Sequence, residues 1–494
     1  MKSKIVKRVL AASLATVMTA SLAACGNDTK TDAPASSDDA AKESTPVAES
    51  KDDAASSEDA ASSEEDLGAY TIRTDANGNT VDLGGIEVII RDWWSGDGER
   101  KEAEDAYTEA RYEYLEWAEE TYNFTIKEMT ISDWGSTPQD FADYAALGGD
   151  EYYVFGLRQG AELTAAMNSG LMFDVSELGV FDFSEDKWVS GIHNMFSKGD
   201  AIYGFRGIEA EPRGGMYFNK RLLEEAGISA QQIYDWQEAG EWTWEKFEEV
   251  CAQVHEDTDN DGVIDRYALA CRRDDLLSMA VYSNGGDFIG KESGKYVNKL
   301  ETEETMEALN WALDMFSKYD AEVTYPEGFA WDYWLTAFSS GVGVFETDEW
   351  YRAGQFNERG MEDDFGFVCF PKGPKSTDYT NIYNDNVYAI PACYDTDKAW
   401  KIAFAYDLYT EPVPGFEDYS GYKSTSYGSF RDTESVDYTT ARLLKNGRVT
   451  YHSLVSGVNL GADLFWQLNA NNTPAQQAEA IRDSWQAYID EANK

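Results

Sequence analysis

Clusters of basic residues are missing from this 494-residue chain beyond its first eight positions. Against 41 Lys and Arg stand 91 Asp and Glu, a formal net charge of -50. Nucleic acids and anionic membrane surfaces attract basic patches, so nucleic acid is not expected as a partner. Histidine is scarce. His193, His255 and His452 lie far apart, which leaves zinc hydrolysis and most histidine-based acid-base schemes without their usual groups. Gly-x-Ser-x-Gly and His-Glu-x-x-His do not occur, so the common serine and zinc hydrolase signatures are absent. After the N-terminus no run is apolar enough and long enough to span a membrane.

What is present is globular. Hydrophobic residues make up 43% and charged residues 27%, and at about 150 residues per domain the length implies two or three domains. At the start, Lys2, Lys4, Lys7 and Arg8 precede an apolar run from Val9 to Ala20, the layout of an export signal. It ends in Leu22-Ala23-Ala24-Cys25-Gly26, which resembles the lipobox of bacterial lipoproteins. That resemblance implies a signal peptide over 1–24 and lipidation of Cys25; the alternative is ordinary secretion with an idle thiol. Residues 27–66 carry 13 acids, three lysines and no aromatic residue. Such a segment cannot bury enough surface to fold and reads as an acidic tether over 25–66. The remaining cysteines, Cys251, Cys271, Cys369 and Cys393, sit in apolar patterns and are expected as free, buried thiols.

From Leu67 to Gly85 the alternation about Asn77-Gly78 predicts a small hairpin. Strands follow at Ile86 to Ile90, Phe124 to Met129 and Tyr152 to Phe155, and a helix with Tyr107, Ala110, Tyr114, Trp117 and Thr121 on one face lies between the first two. Later, Thr243 caps a helix facing inward with Trp244, Phe247, Cys251 and Val254, and another carries Ala399, Ile402, Tyr406 and Tyr409. Alternation of this kind predicts α/β architecture with mainly parallel sheets, and ligands at the carboxyl ends of strands, in the loops after Ile90, Phe155 and Phe345.

Tyr203-Gly204-Phe205, Gly215-Met216-Tyr217-Phe218-Asn219-Lys220-Arg221-Leu222-Leu223, Trp242-Thr243-Trp244, Ser283-Asn284-Gly285-Gly286-Asp287, Phe338 to Trp350, Phe370-Pro371-Lys372-Gly373-Pro374 and Tyr388-Ala389-Ile390-Pro391 occur in order. Together they resemble the family-1 extracellular solute-binding proteins, the sugar-capturing subunits of ABC importers. The resemblance implies a type II periplasmic-binding-protein-like fold: two α/β lobes, a hinge crossed more than once, and a ligand cleft between them. By that analogy one lobe comprises 86–205 and 386–411, the other 206–385 and 412–494. It further implies a monomer on the outer face of the cell membrane that hands a carbohydrate to ABC permease subunits, with no cofactor required.

A pyranose offers an apolar face to an aromatic ring and a rim of hydroxyls to polar groups. Candidates for that work are Trp93, Trp94, Trp331, Trp334 and Trp350, with Asp92, Arg158, Gln159, Glu211, Arg213, Asn284, Asp287, Asp348, Asn384 and Asp385 as polar partners. Trp94 and Trp350 are expected to sandwich the sugar, and Trp350→Ala to weaken binding while sparing the fold. Asp257, Asp259, Asp261 and Asp265 match the first nine positions of a calcium loop, but Ala268 occupies the twelfth. A structural calcium and a plain solvated turn both remain open. Two other functions stay in view: a surface-anchored glycoside hydrolase, which needs only two carboxylates, and a binder of peptides or other solutes on the same fold.

Overall fold

The computed structural model describes residues 70–494 other than 208–212, 324–331, 384–385 and 417–420. The expected signal segment, Cys25 and the tether lie outside the described residues. The expected hairpin is small: Thr74 bridges Thr80 about a turn closed by Gly78 N–H to the Asp75 carbonyl (3.0 Å).

Two four-stranded sheets carry the architecture. The first uses β1 (Ile86–Asp92), β2 (Phe124–Thr130), β3 (Tyr152–Leu157) and β8 (Val387–Ala389) in the order β8-β3-β1-β2. Here β2 and β3 run parallel to β1, so their carboxyl ends share one edge, and β8 runs antiparallel to β3. One face packs on α1 (Ala106–Tyr122) and α7 (Thr396–Tyr409) through Val88, Ile90, Ala118, Tyr122, Ala399 and Ile402. The inward stripe of α1 is Tyr114, Leu115, Ala118 and Tyr122, one position on from the expected stripe. Trp117 lies at its margin, covered by Tyr70 of the hairpin (ring centroids 4.5 Å).

The second sheet comprises β4 (Gly214–Asn219), β5 (Tyr267–Leu269), β6 (Gly343–Glu349) and β7 (Phe365–Val368), ordered β7-β4-β6-β5. It corrects the expectation of mainly parallel pairing: β4 opposes both β6 and β7, and only β5 is parallel to β6. Strand β4 lies between β6 and β7, both of which follow it in the chain, and only a parallel pair demands a crossover connection, so their patterning leaves either direction open. Its register sets Gly214 against Glu349, which brings the start of one strand to the carboxyl end of the other. The helix α2 (Trp244–Val254) buries the four residues expected of it, and the Thr243 hydroxyl caps it by accepting from Lys246 N–H.

After β3 the chain passes to the second core through 206–213, returns between β7 and β8, and leaves the first core again after α7. The last segment packs Phe430, Val436, Leu464 and Trp485 into the second core. Cys251, Cys271 and Cys369 are free and buried as expected, whereas Cys393 is exposed, at the polar turn before α7.

Candidate ligand-binding cleft

A cavity of about 970 Å³ is lined from both cores and from the connections between them. Its first wall begins where β1 ends. There Asp92 Oδ1 accepts from Trp94 N–H (3.1 Å), Ser95 N–H (3.2 Å) and the Ser95 hydroxyl (2.9 Å). This turn projects Trp93 and Trp94 edge to face (4.6 Å, 84°). Trp94 is 44% exposed, and a side chain on Gly156 would meet its ring at 3.2 Å, so the glycine leaves room for the indole. Asp92 itself is fully buried. It positions the tryptophans and does not line the cavity, a correction to its expected role.

Beyond β3, Arg158 lies over Trp134 (5.3 Å) and pairs with Glu162 (3.1 Å). Both amide atoms of Gln159 are buried with no hydrogen-bond partner among the described residues. Buried polar groups are nearly always paired, so this amide is a group awaiting a ligand or water. Glu128, at the end of β2, is raised above the usual carboxylate range by burial and by Asp92 nearby. The connections add Arg206, over Tyr388 (6.0 Å) and bonded to the Tyr422 hydroxyl, together with Asn386, Tyr406 and Tyr409.

The second wall is built from arginine-carboxylate pairs. Arg213 meets Glu349 (2.9 Å), Arg352 Nε meets Asp348 (2.9 Å), and Arg272 stands 3.8 Å from Asp275. Trp350 is 6% exposed and donates Nε1–H to Ser426 Oγ (2.6 Å), with Tyr422 edge-on at 5.4 Å. Burial raises Asp275 and Asp348, with Asp348 adding to the first and Arg352 opposing in the second.

Two residues back along β6, on the same face as Asp348, Glu346 is fully buried and lifted well above its ordinary value, by desolvation first and then by Asp348. A carboxyl whose folded pKa is raised gives stability that is present below about pH 4.5 and is lost as pH rises. Glu346→Gln is therefore expected to raise the unfolding free energy at pH 8 by about 1–2 kcal/mol, seen as a higher melting temperature, with the gain shrinking toward pH 4. A gain independent of pH would contradict this assignment.

The cavity thus gathers Trp93, Trp94, Arg158, Gln159, Arg213, Asp348 and Trp350 from the expected set. Three others sit elsewhere. Asn284 is buried and ties loops together, accepting from Lys375 N–H (3.0 Å) and donating to Glu307 (3.0 Å). Asp287 pairs with Arg448 (2.6 Å) at a separate cavity of about 410 Å³. Trp334 packs in the second core within α5 (Tyr333–Ser339). Their loop position suggested the cleft, but the turns fold back on their own core. Glu211, Trp331, Asn384 and Asp385 lie outside the described residues. Sequence reasoning missed Trp134, Arg206, Arg272, Asp275, Tyr351, Arg352 and the ring cluster of Tyr388, Tyr406, Tyr409 and Tyr422. For Arg352 a signal existed: it follows Asp348 by four residues, the spacing of a helical ion pair.

The calcium-like loop lies apart from the cleft. Carboxylates of Asp257, Asp259 and Asp265 come within 4.8 Å of one another, while Asp261 Oδ1 accepts from Val263 N–H (2.8 Å).

The profile of the bacterial extracellular solute-binding proteins matches residues 142–405, more than half the chain. The chain belongs to that family. Its work therefore lies outside the cytoplasm, and among the described residues no helix is long and apolar enough to cross a membrane. The binding protein is 27% identical over 171 residues to an arabinooligosaccharide-binding protein from Halalkalibacterium halodurans, an alignment covering 34% of each chain. It thus spans about a third of that relative's length. Similar folds are seen in UgpB from Mycobacterium tuberculosis, solved with glycerophosphocholine (18% identity, 78% of this chain and 95% of that one, TM-score 0.55). Another is the cyclic alpha-maltosyl-1,6-maltose binding protein from Arthrobacter globiformis (13% identity, 83% and 97%, TM-score 0.54). These solved structures agree with the type II binding-protein fold that the motifs imply.

Proposed function

We propose that the protein captures an oligosaccharide and delivers it to the permease subunits of an ABC importer. The observation that carries this reading is the cleft itself. Aromatic rings from both cores face one cavity, beside fixed arginine-carboxylate pairs that offer donors and acceptors to a ring of hydroxyls. The arabinooligosaccharide-binding relative points the same way. Lobes of 86–205 with 386–411 and of 206–385 with 412–494 would close on the sugar, because only contacts made by both at once favour the closed state. In this reading the protein is a monomer and not an enzyme, and it is anchored by a lipid on Cys25 through the acidic tether.

The test is calorimetric titration with neutral and acidic oligosaccharides, followed by recovery of the ligand. Intact sugar supports capture; cleaved sugar moves the protein to the hydrolases, whose two carboxylates the cleft could supply. Trp94→Ala is expected to weaken binding by about tenfold, a stacking loss of about 1–2 kcal/mol, with an unchanged melting temperature because the ring is half exposed. Undiminished affinity would remove Trp94 from the site.

The Asp257–Asp265 loop belongs to the same proposal as a structural calcium site. Millimolar calcium at a hundredfold excess over its dissociation constant is expected to stabilise the fold by about 2.7 kcal/mol, and no shift in melting temperature would leave the loop a plain turn.

A further inference from the structure

The charge of the cleft is out of keeping with the chain. Acids outnumber bases 91 to 41 overall, and lysine outnumbers arginine 23 to 18. Yet among the described residues the cleft is lined by five arginines, no lysine and four carboxylates. Arginine differs from lysine in presenting a planar fork of N–H donors that matches a carboxylate. On the second wall the three arginines face carboxylates of that same wall. On the first wall the balance is different. Arg158 has as its ion-pair partner Glu162, whose side chain is 56% exposed and does not line the cavity, and Arg158 Nε is buried without a partner. The unpartnered amide of Gln159 adjoins it, and Trp94 and Trp134 stand by.

Resting on the carbohydrate reading, we propose that the captured oligosaccharide is acidic, a uronic acid carboxylate being received by Arg158 and Gln159 while its ring lies against Trp94 or Trp134. The guanidinium Nε–H and the Gln159 amide N–H donate to the carboxylate oxygens, and Gln159 Oε1 remains to accept from a sugar hydroxyl. A neutral sugar would offer the unpartnered Arg158 Nε–H and Gln159 amide only hydroxyl oxygens, which accept more weakly than a carboxylate.

The experiment is calorimetric titration of the full chain with galacturonate, glucuronate and mannuronate trimers, each beside its neutral counterpart (galactose, glucose and mannose trimers). One acidic trimer is expected to bind at least tenfold more tightly than its neutral counterpart at about 20 mM salt, with the preference shrinking at about 500 mM as screening sets in. Arg158→Gln is expected to abolish the preference, and Arg158→Lys, which keeps the charge but loses the fork, to restore only part of it. Should the glutamine variant fail to fold, the salt dependence of the wild-type preference decides alone. A neutral trimer bound as tightly as its acidic partner overturns this proposal while leaving carbohydrate capture standing. Binding of peptides in place of any saccharide overturns both.

Discussion

Replacing Trp350 by alanine is expected to cost the fold about 3–5 kcal/mol, as large-to-small changes of buried aromatic residues do, as well as weakening ligand binding by tenfold or more. Loop position and resemblance had suggested a residue whose loss spares the fold. The structure corrects this, because the indole is buried among the second core's residues. Its Nε1–H is spent on Ser426, its ring edge meets Tyr422, and its carbonyl accepts from the Tyr217 hydroxyl (2.6 Å). Ser426 and Tyr422 lie on α8 (Gly421–Ser429), in the segment that follows the last crossing. Truncation therefore opens a void between that segment and the end of β6. Trp350→Phe keeps most of the packing and loses only the Ser426 bond, so a loss of about 1 kcal/mol is expected. Denaturant midpoints for both variants check the order; equal midpoints for alanine and wild type would show that the site collapses without cost.

Asp407→Ala is expected to destabilise by a similar amount, about 3–5 kcal/mol, for an electrostatic reason. Asp407 sits on α7 with its side chain 3% exposed, and it accepts from Lys187 Nζ (2.9 Å), itself 4% exposed, and from Arg73 of the hairpin. Glu411 shares both cations. With Asp407 gone, Arg73 keeps only Glu411, and Lys187 keeps Glu411 and the more distant, exposed Glu185 (3.4 Å), so the buried ammonium loses its one buried counter-charge. Adding Lys187→Met to Asp407→Ala is expected to recover part of the loss, since the surplus charge leaves with it. Thermal unfolding of the single and double variants checks this. An additive double variant would mean that the ion cluster contributes little.

The strands of the first sheet and the helix α2 of the second core were legible because their apolar periods are clean: Val88 and Ile90 alternate, and α2 repeats its apolar residues at three and four. The second sheet was read with the wrong pairing, since direction is not written in a strand's composition. Both Met216 to Asn219 and Phe345 to Asp348 are buried on each face whichever way they run. In the cleft, residues directly after β1, β3 and β6 were foreseen because strand ends point to ligands. Tyr406 and Tyr409 were seen as a helix face, but nothing local says that the carboxyl end of α7 reaches the cavity. Asp92 and Asn284 show the reverse error. Both have the chemistry of a sugar ligand, yet Asp92 Oδ1 holds the turn that follows it, and the Asn284 amide ties the Lys375 backbone to Glu304 and Glu307.

The late return of β8 bears on how the chain reaches its folded state. In the first sheet β3 lies between β1 and β8, so until residues 387–389 arrive its outer edge is an unpaired row of backbone donors and acceptors. Residue 389 is some 230 positions beyond the end of β3, and closing so long a separation is slow. A chain threaded N-terminus first through a translocation pore therefore cannot complete its first sheet until most of its length has emerged. Until then the open edge of β3 is the part of the first sheet most exposed to pairing with another chain.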